Sequence, residues 1–228
     1  MKQVFKHTII CVASICLFFS CNKASKQENV TDNDSAGVVA NKKAKVKAER
    51  AEKFKTEDDK ILGKTKFFMS KEEWEKNIDE HFSEFINPDK SIGAPYYKVG
   101  NYGFFTSYPE FYNDSLYKVQ IRGTFAYSND YANKIPADYK AAMALLTQKF
   151  GEPDESITLP KFHQTPTNGF IPLAAWEIGH RMISIVLNCD NAKYAIDLFI
   201  YRKDLAERKD KEERRKAEQK TAADAKRI

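Results

Sequence analysis

The stretch RMISIVLNCDNAKYAIDLFIYR, residues 181–202, decides the fold of this chain. Every second residue in each half of it is a large aliphatic one: Ile183, Ile185 and Leu187, then Ile196, Leu198 and Ile200. Alternation with a period of two is typical of a β-strand. Asp190 and Asn191, which separate the two halves, favour a tight turn. The stretch therefore predicts two neighbouring antiparallel strands.

Working outward, the same period predicts further strands upstream. They lie at residues 64–69, 96–106, 116–127 and 173–178. Two segments have helical spacing instead. One begins at Ser70, with Trp74 and Phe82 on its apolar face, and the other spans residues 137–150. The order is strand, helix, two strands, helix, three strands. It predicts an α+β fold, with one antiparallel sheet of about five to six strands and two helices on one face.

The chain divides into four segments by composition. Residues 1–20 form a signal peptide, and residues 21–60 are polar and predict a tether that is disordered or marginally helical. Residues 61–204 form the α+β domain. Residues 205–228 predict a charged, solvent-exposed helix, because opposite charges recur four residues apart with almost no large apolar residue among them.

The N-terminus predicts export and a lipid anchor. A basic start, Met1 to His7, precedes a short apolar run that ends at Ser20-Cys21. The run is too short to span a bilayer as a helix, so it is typical of a removed signal. Residues 17–22, LFFSCN, resemble a bacterial lipobox. The resemblance implies cleavage before Cys21 and acylation of that cysteine, which anchors the protein in a membrane without any spanning segment.

A second resemblance covers residues 64–204. KFGEP at residues 149–153, a later strand with Trp176 and YAIDLFIY at residues 194–201 resemble small envelope lipoproteins of uncharacterised function found in Bacteroidota. The resemblance implies a fold and a location, and no catalytic residue. The implied protein is exported and anchored by lipid in the outer membrane, where it faces either the periplasm or the cell surface.

Charge and cysteine content exclude some classes of protein. The net charge of +5 misleads, because residues 61–201 carry 14 basic and 17 acidic residues. The folded body is therefore mildly acidic, and a nucleic-acid interface is not expected. Of the four cysteines only Cys189 would remain as a free thiol in the mature chain, so an intramolecular disulfide is excluded.

The sequence gives little support for a catalytic site or a metal site. Cys189 and His180 could pair as nucleophile and base, but they bracket one predicted strand and should lie ~25 Å apart. His163, in a proline-rich loop, is the other candidate base. No histidine pair has metal-ligand spacing, so neither a metal nor another cofactor is expected.

A cluster of aromatic residues gives the clearest candidate for binding. Residues 106–115, TSYPEFYNDS, predict a loop around Pro109. Tyr108, Phe111 and Tyr112 cannot all be buried in such a loop. They are therefore a candidate binding loop for a peptide or a sugar.

Two short sequence patterns predict O-glycosylation. Asp34-Ser35-Ala36 and Asp114-Ser115-Leu116 resemble the O-glycosylation pattern of exported Bacteroidota proteins. Ser35 and Ser115 are therefore candidate O-glycosylation sites, although a pattern this loose also arises by chance.

Three functions are compatible with these features. The first is a non-enzymatic, membrane-anchored lipoprotein whose α+β domain binds another envelope component, either a protein or a glycan. The second is a cell-envelope hydrolase that uses Cys189. The third is a structural spacer that acts through the charged C-terminal helix. The first is our expectation.

Overall fold

The stretch that decides the fold forms the middle of a single antiparallel sheet. In a computed structural model, residues 33–89, 91 and 94–225 are described, with the backbone alone for residues 33–40. Strands β7 and β8 pair along ten residues, from Arg181 with Arg202 to Asp190 with Lys193. Asn191 and Ala192 between them have positive φ angles of 49° and 66°, as a two-residue hairpin turn requires.

The other strands continue the sheet on both sides. The strands are β1 (Tyr97–Val99), β2 (Tyr102–Tyr112), β3 (Ser115–Gly123), β4 (Ala126–Tyr127), β5 (Glu155–Ser156), β6 (Asn168–Ile178), β7 (Arg181–Asp190) and β8 (Lys193–Arg202). Their order is β1-β2-β3-β8-β7-β6-β5, and β4 pairs with β8 as well. The α+β class and the single antiparallel sheet are confirmed.

The predicted count of five to six strands is wrong, because the described sheet has eight. The strand predicted at residues 64–69 is not one of them, since that segment forms turns and makes only an isolated bridge between Lys66 and Lys60. Strands β1, β4 and β5 are two or three residues long. A period-two pattern needs at least four residues to be recognised, so elements this short leave no signal in the sequence.

Four α-helices accompany the sheet in the described residues. They are α1 (Asn33–Lys53), α2 (Lys71–Lys76), α3 (Tyr131–Phe150) and α4 (Lys203–Ala225). None of them is both long and apolar enough to cross a membrane. The Ser70 side chain caps α2 by accepting a hydrogen bond of 3.0 Å from the Glu73 amide, as the sequence predicts.

The hydrophobic core lies on one face of the sheet, where α3 packs against β2, β4, β7 and β8. Trp74, Phe82, Leu146, Trp176 and Leu198 are all buried there, which confirms them as core residues. His81 is buried as well. Its ring stacks on Trp74 with 4.2 Å between centroids, and its Nε2 lies 3.0 Å from the Trp74 carbonyl oxygen. This histidine is therefore part of the packing.

Helix α1 occupies part of the segment for which the sequence predicts a tether. Two side chains, Arg50 near its C-terminal end and Phe54 just beyond it, contact the body here. The Arg50 guanidinium meets the Asp154 carboxylate at 2.9 Å, with both side chains nine-tenths or more buried. Arg50 also donates to the Glu152 carbonyl at 2.7 Å. Phe54, just beyond the helix, packs edge-on against Phe150. The core therefore extends to residues before 61.

Helix α4 begins directly after β8 and contacts β3 and β8. Leu205 in its first turn is buried. The Tyr112 hydroxyl donates to the Glu212 carboxylate at 2.8 Å, and the Lys209 ammonium lies 5.7 Å from the Tyr117 ring centroid. From residue 213 onward its described side chains are exposed. The solvent-exposed helix that the sequence predicts therefore corresponds to the second half of α4.

Candidate functional site

The sheet face opposite the core carries polar side chains and is called the open face here. Strand alternation and register place these residues on it: Tyr108, Glu110, Lys118, Gln120, Arg122, Met182, Ser184, Val186, Asn188, Asp197, Phe199 and Tyr201. The residues between them, such as Val119, Ile185 and Leu198, belong to the core.

A cleft of about 790 Å³ lies between α4 and the open face. Pro172 and Ala175 of β6, Met182 and Ser184 of β7 and Tyr201 of β8 line its floor. The floor is mainly apolar because these strand positions carry small or apolar side chains. A mainly apolar cavity of this size is typical of ligand sites in proteins.

The walls of the cleft are charged and of mixed sign. Lys211, Arg214 and Arg215 reach it from α4, beside Glu207 and Asp210 of the same helix. The cleft therefore combines an apolar floor with a rim that offers both cations and carboxylates, and it shows no preference for a ligand of one charge.

Glu177 of β6 joins the two helices that border the cleft. Its carboxylate lies 3.0 Å from the ammonium of Lys47 on α1 and 3.0 Å from that of Lys203 on α4. Burial raises the pKa of Glu177, but the two lysines outweigh burial, so this pKa lies below its usual value. Glu177 is therefore ionised near neutral pH and fixes both walls.

A buried carboxylate lies further along the open face. Asp197 of β8 is fully buried. It accepts hydrogen bonds from the Gln120 amide at 2.7 Å, the Asn188 amide at 2.9 Å and the Gly123 backbone N–H at 3.1 Å. Burial raises the pKa of Asp197 against the opposing effect of these donors and of Arg122. Neighbouring strands β3 and β7 thus supply the side-chain donors that a buried carboxylate needs.

Arg122 stands beside this carboxylate. Its Nε atom lies 3.8 Å from Asp197 Oδ2, and that Nε is buried without a hydrogen-bond partner. The guanidinium carbon lies 5.0 Å from the ring centroid of Tyr108 and 5.7 Å from that of Phe125. Two aromatic rings and one carboxylate therefore fix the position of this cation.

The structure does not bring together the three residues of the predicted binding loop. Residues 106–115 are not a loop, because Tyr108, Phe111 and Tyr112 lie in strand β2 and Asn113-Asp114 form its hairpin turn with β3. Both turn residues have the positive φ angles of a two-residue turn. Pro109 is tolerated because the outer edge of β2 has no strand partner in the described sheet from residue 105 onward.

Strand alternation separates the three aromatic residues, because Phe111 points to the face opposite that of Tyr108 and Tyr112. Tyr108 lies on the open face with 44% of its surface exposed. Phe111 packs against the core, and Tyr112 is engaged with α4. A single platform made of all three is therefore excluded, and the binding role of Tyr108 stays a prediction.

The modification sites stay predictions as well. Cys21 lies outside the described residues. Ser35 falls within the backbone of α1, and Ser115 is the first residue of β3. Asp114, which precedes Ser115, accepts a hydrogen bond from the Lys71 amide at 3.1 Å.

Cys189 lies in an environment that opposes nucleophilic chemistry. Its side chain is buried in the core on β7, and burial raises the pKa of the thiol to about 11. His180 lies in the turn before the other end of that strand, and His163 is exposed in a short 3-10 turn. Within the described residues, no group of three or more His, Cys, Asp or Glu side chains is placed to hold a metal ion.

Arg122, Asp197 and the cleft were missed by the sequence analysis. One signal for Asp197 was present, since a lone carboxylate inside the apolar run YAIDLFIY is unusual for a buried strand. Arg122 occupies an ordinary solvent-side position in an alternating strand. Only the register between β2, β3 and β8 shows what surrounds it.

Comparisons of the chain with protein-family models, with curated proteins and with solved structures found no match. The open face and its cleft therefore carry the argument for function.

Proposed function

We propose that this chain is a non-enzymatic lipoprotein of the cell envelope, and that its α+β domain binds another envelope component in the cleft between α4 and the open face. The observation that carries the proposal is the cleft itself. Its volume of about 790 Å³ and its apolar floor match the sites at which proteins bind ligands. The resemblance of residues 17–22 to a lipobox supports the envelope location and the lipid on Cys21.

Rigid walls support the same proposal. Glu177 pairs with lysines of α1 and α4, and the buried Arg50–Asp154 pair and the buried Leu205 hold these two helices on the body before any ligand arrives. A preformed site loses less conformational freedom on binding than a flexible one. The surroundings of Cys189 favour a binding protein over a hydrolase, because a thiol with a pKa of about 11 is almost entirely protonated near neutral pH.

Photo-cross-linking at two positions of α4 tests this function. Ala206 lines the cleft, whereas Ala217 is exposed on the same helix and does not line it. A photoreactive residue is placed at each position in the full-length chain, which is then incubated with a detergent-solubilised envelope preparation. We expect one discrete adduct from position 206 and none from position 217. Equal labelling at both positions would contradict the proposal.

A variant with a filled cleft completes the test. Ala175 lies on the floor, so Ala175→Trp should occupy the cavity and abolish the adduct at position 206. Thermal unfolding of this variant must resemble that of the parent chain for the result to count. An adduct that persists in a folded Ala175→Trp chain shows that the component binds elsewhere.

The exposed end of α4 keeps the spacer function as a second candidate. Cleft-lining residues end at Glu218, and the described residues beyond it are exposed. Truncation before Lys220 therefore removes the exposed end and leaves the cleft complete. If the truncated chain no longer captures the envelope component, the helix end is the binding element and the spacer function is preferred.

A further inference from the structure

The Arg122 guanidinium is held in place before any ligand is bound. Tyr108 and Phe125 contact it through their rings, at 5.0 and 5.7 Å, and the Asp197 carboxylate lies behind its Nε at 3.8 Å. Asp197 is in turn fixed by its own three donors. A cation restrained from three sides loses little rotamer freedom when it binds a further group.

This cation is also unused as a donor. A guanidinium carries five N–H groups, yet within the part of the chain that the structure describes Arg122 donates no hydrogen bond, and its Nε is buried and unpaired. Asp197 attracts Arg122 at 3.8 Å, which is beyond hydrogen-bond distance, and its hydrogen bonds come from Gln120, Asn188 and Gly123. The Arg122 side chain is 22% exposed, so its outer edge reaches solvent.

The surroundings of Arg122 combine a second cation with an exposed aromatic ring. The Lys193 ammonium lies 6.0 Å from the Phe125 ring centroid, on the strand that also carries Asp197. Tyr108 contacts Arg122 and still exposes 44% of its surface. The surface therefore offers a planar donor fork, a further positive charge and a flat apolar face.

We propose that Arg122, Lys193 and Tyr108 form a subsite for an acidic sugar of an envelope glycan. The guanidinium fork matches a carboxylate with two parallel hydrogen bonds. The exposed face of Tyr108 packs against the C–H face of the sugar ring, since an aromatic ring offers apolar area with a polar edge. The ligand is thus an anionic saccharide, held by charge at one end and by stacking at the other.

The edge of β2 disfavours an acidic peptide as the occupant. An extended peptide would bind here by adding a strand to the free edge of β2, which needs a continuous row of backbone donors and acceptors. Pro109 lacks an N–H at the middle of that edge, and a bulge between Phe104 and Thr106 interrupts the strand. Such features block strand addition. A saccharide needs no backbone pairing.

This subsite goes beyond the proposed function, because Arg122, Lys193 and Tyr108 lie outside the residues that line the cleft. Calorimetric titration of the full-length chain in detergent tests it, with trigalacturonic acid as the probe and its methyl ester as the uncharged control. We expect the ester to bind about tenfold more weakly or worse, because it cannot accept a charged, bidentate bond. Equal binding of acid and ester overturns the proposal, as does the absence of binding by the acid.

Variants assign the binding to the named residues. Arg122→Lys keeps the charge and removes the fork, and should weaken trigalacturonate binding about tenfold or more. Tyr108→Ala, at an exposed position, should weaken it about fivefold or more without unfolding the chain. Arg208→Lys, on the exposed surface of α4, is the matched control and should bind as the parent does. If Arg122→Lys folds and binds normally, or if Tyr108→Ala binds normally, the assignment is wrong.

Two further measurements separate the alternatives. A trimer of glutamate that binds as tightly as trigalacturonate would show that carboxylates alone are recognised, which overturns the glycan assignment. Ala175→Trp fills the cleft and should leave trigalacturonate binding unchanged; a loss would place the ligand in the cleft instead. Failure of the cross-link at position 206 with intact trigalacturonate binding would refute the cleft proposal alone.

Discussion

At the scale of single residues, a small charged cluster links the β2–β3 hairpin to α4. The Glu110 carboxylate lies 2.6 Å from the Lys118 ammonium and accepts a hydrogen bond of 2.6 Å from the Tyr117 hydroxyl. Burial raises the pKa of Glu110, but the charge of Lys118 and the two hydrogen bonds outweigh burial, so its pKa lies below the usual value. Lys209 of α4 adds to this effect.

This cluster predicts a specific dependence of stability on pH. A carboxyl whose folded pKa is depressed stabilises the folded state above its unfolded pKa of about 4.5, and this contribution is lost as the pH falls through the lower folded value. Glu110→Gln should therefore be less stable than the parent at pH 7. The difference should shrink as the pH falls below about 4.5. Urea unfolding at a series of pH values measures it, and a constant difference would refute the assigned cause.

The thiol of Cys189 gives a second prediction at this scale. Its pKa of about 11 lies two units above the ordinary value of 9.0, which lowers the thiolate fraction about a hundredfold near neutral pH. Ellman's reagent should therefore label a native chain in which Cys11, Cys16 and Cys21 are changed to Ala about a hundredfold more slowly, or slower still, than the same chain in urea. Equally fast labelling in both states would return Cys189 to consideration as a nucleophile.

At the scale of elements, the ion pair between Arg50 and Asp154 holds α1 against the body. Arg50→Ala leaves the buried Asp154 carboxylate without its cation, and should cost about 3–5 kcal/mol of unfolding free energy. Lys47→Ala is the matched control, because its ion pair with Glu177 is more exposed and should contribute about 0–1 kcal/mol. Urea unfolding, with limited proteolysis of residues 41–53, measures both. Equal, small effects would show that α1 is held by other contacts.

The β2–β3 hairpin separates its aromatic residues by role. Phe111→Ala removes a side chain packed against the core and should lower the unfolding free energy by about 1–3 kcal/mol. Tyr108→Ala removes a largely exposed ring and should change it by less than about 1 kcal/mol. Separate urea titrations compare the two. A larger loss for Tyr108 than for Phe111 would mean that the two faces of β2 are wrongly assigned.

What the sequence could predict follows from element length and from packing chemistry. Strands β7 and β8 were predictable because ten residues alternate in each, and α3 because its apolar face repeats at helical spacing. The second half of strand β2 was not, since Pro109 and Asn113-Asp114 are also typical of loops. Helix α1 gave a weak signal, because its docking depends on a charged arginine instead of an apolar stripe.

The candidate site, too, was predictable from the sequence only in part. Tyr108 could be identified from the sequence because a cluster of aromatic residues beside a proline is conspicuous. Arg122 and Asp197 could not, because they lie 75 positions apart and meet only through the pairing of β3 with β8. The cleft could not be predicted for a similar reason, because it depends on the direction in which α4 leaves β8.

At the scale of the whole molecule, attachment to the envelope is the main prediction. Cys21→Ala should block acylation and release the chain from the membrane fraction, because the remaining sequence offers no other anchor that we predict. Cys189→Ala is the control and should remain in the membrane pellet. Fractionation with a high-salt wash measures both. A Cys21→Ala chain that still pellets would overturn the lipobox interpretation.

The docking of α1 sets how far the domain can act from its point of attachment. The sequence predicts a tether of forty residues, 21–60, but only eleven residues separate Cys21 from the first residue of α1. Fully extended, eleven residues reach ~40 Å at most. With the lipid on Cys21, a shorter tether raises the effective concentration of the domain for partners in the same membrane. Loss of the Arg50–Asp154 ion pair would release the C-terminal end of α1 and lengthen this tether.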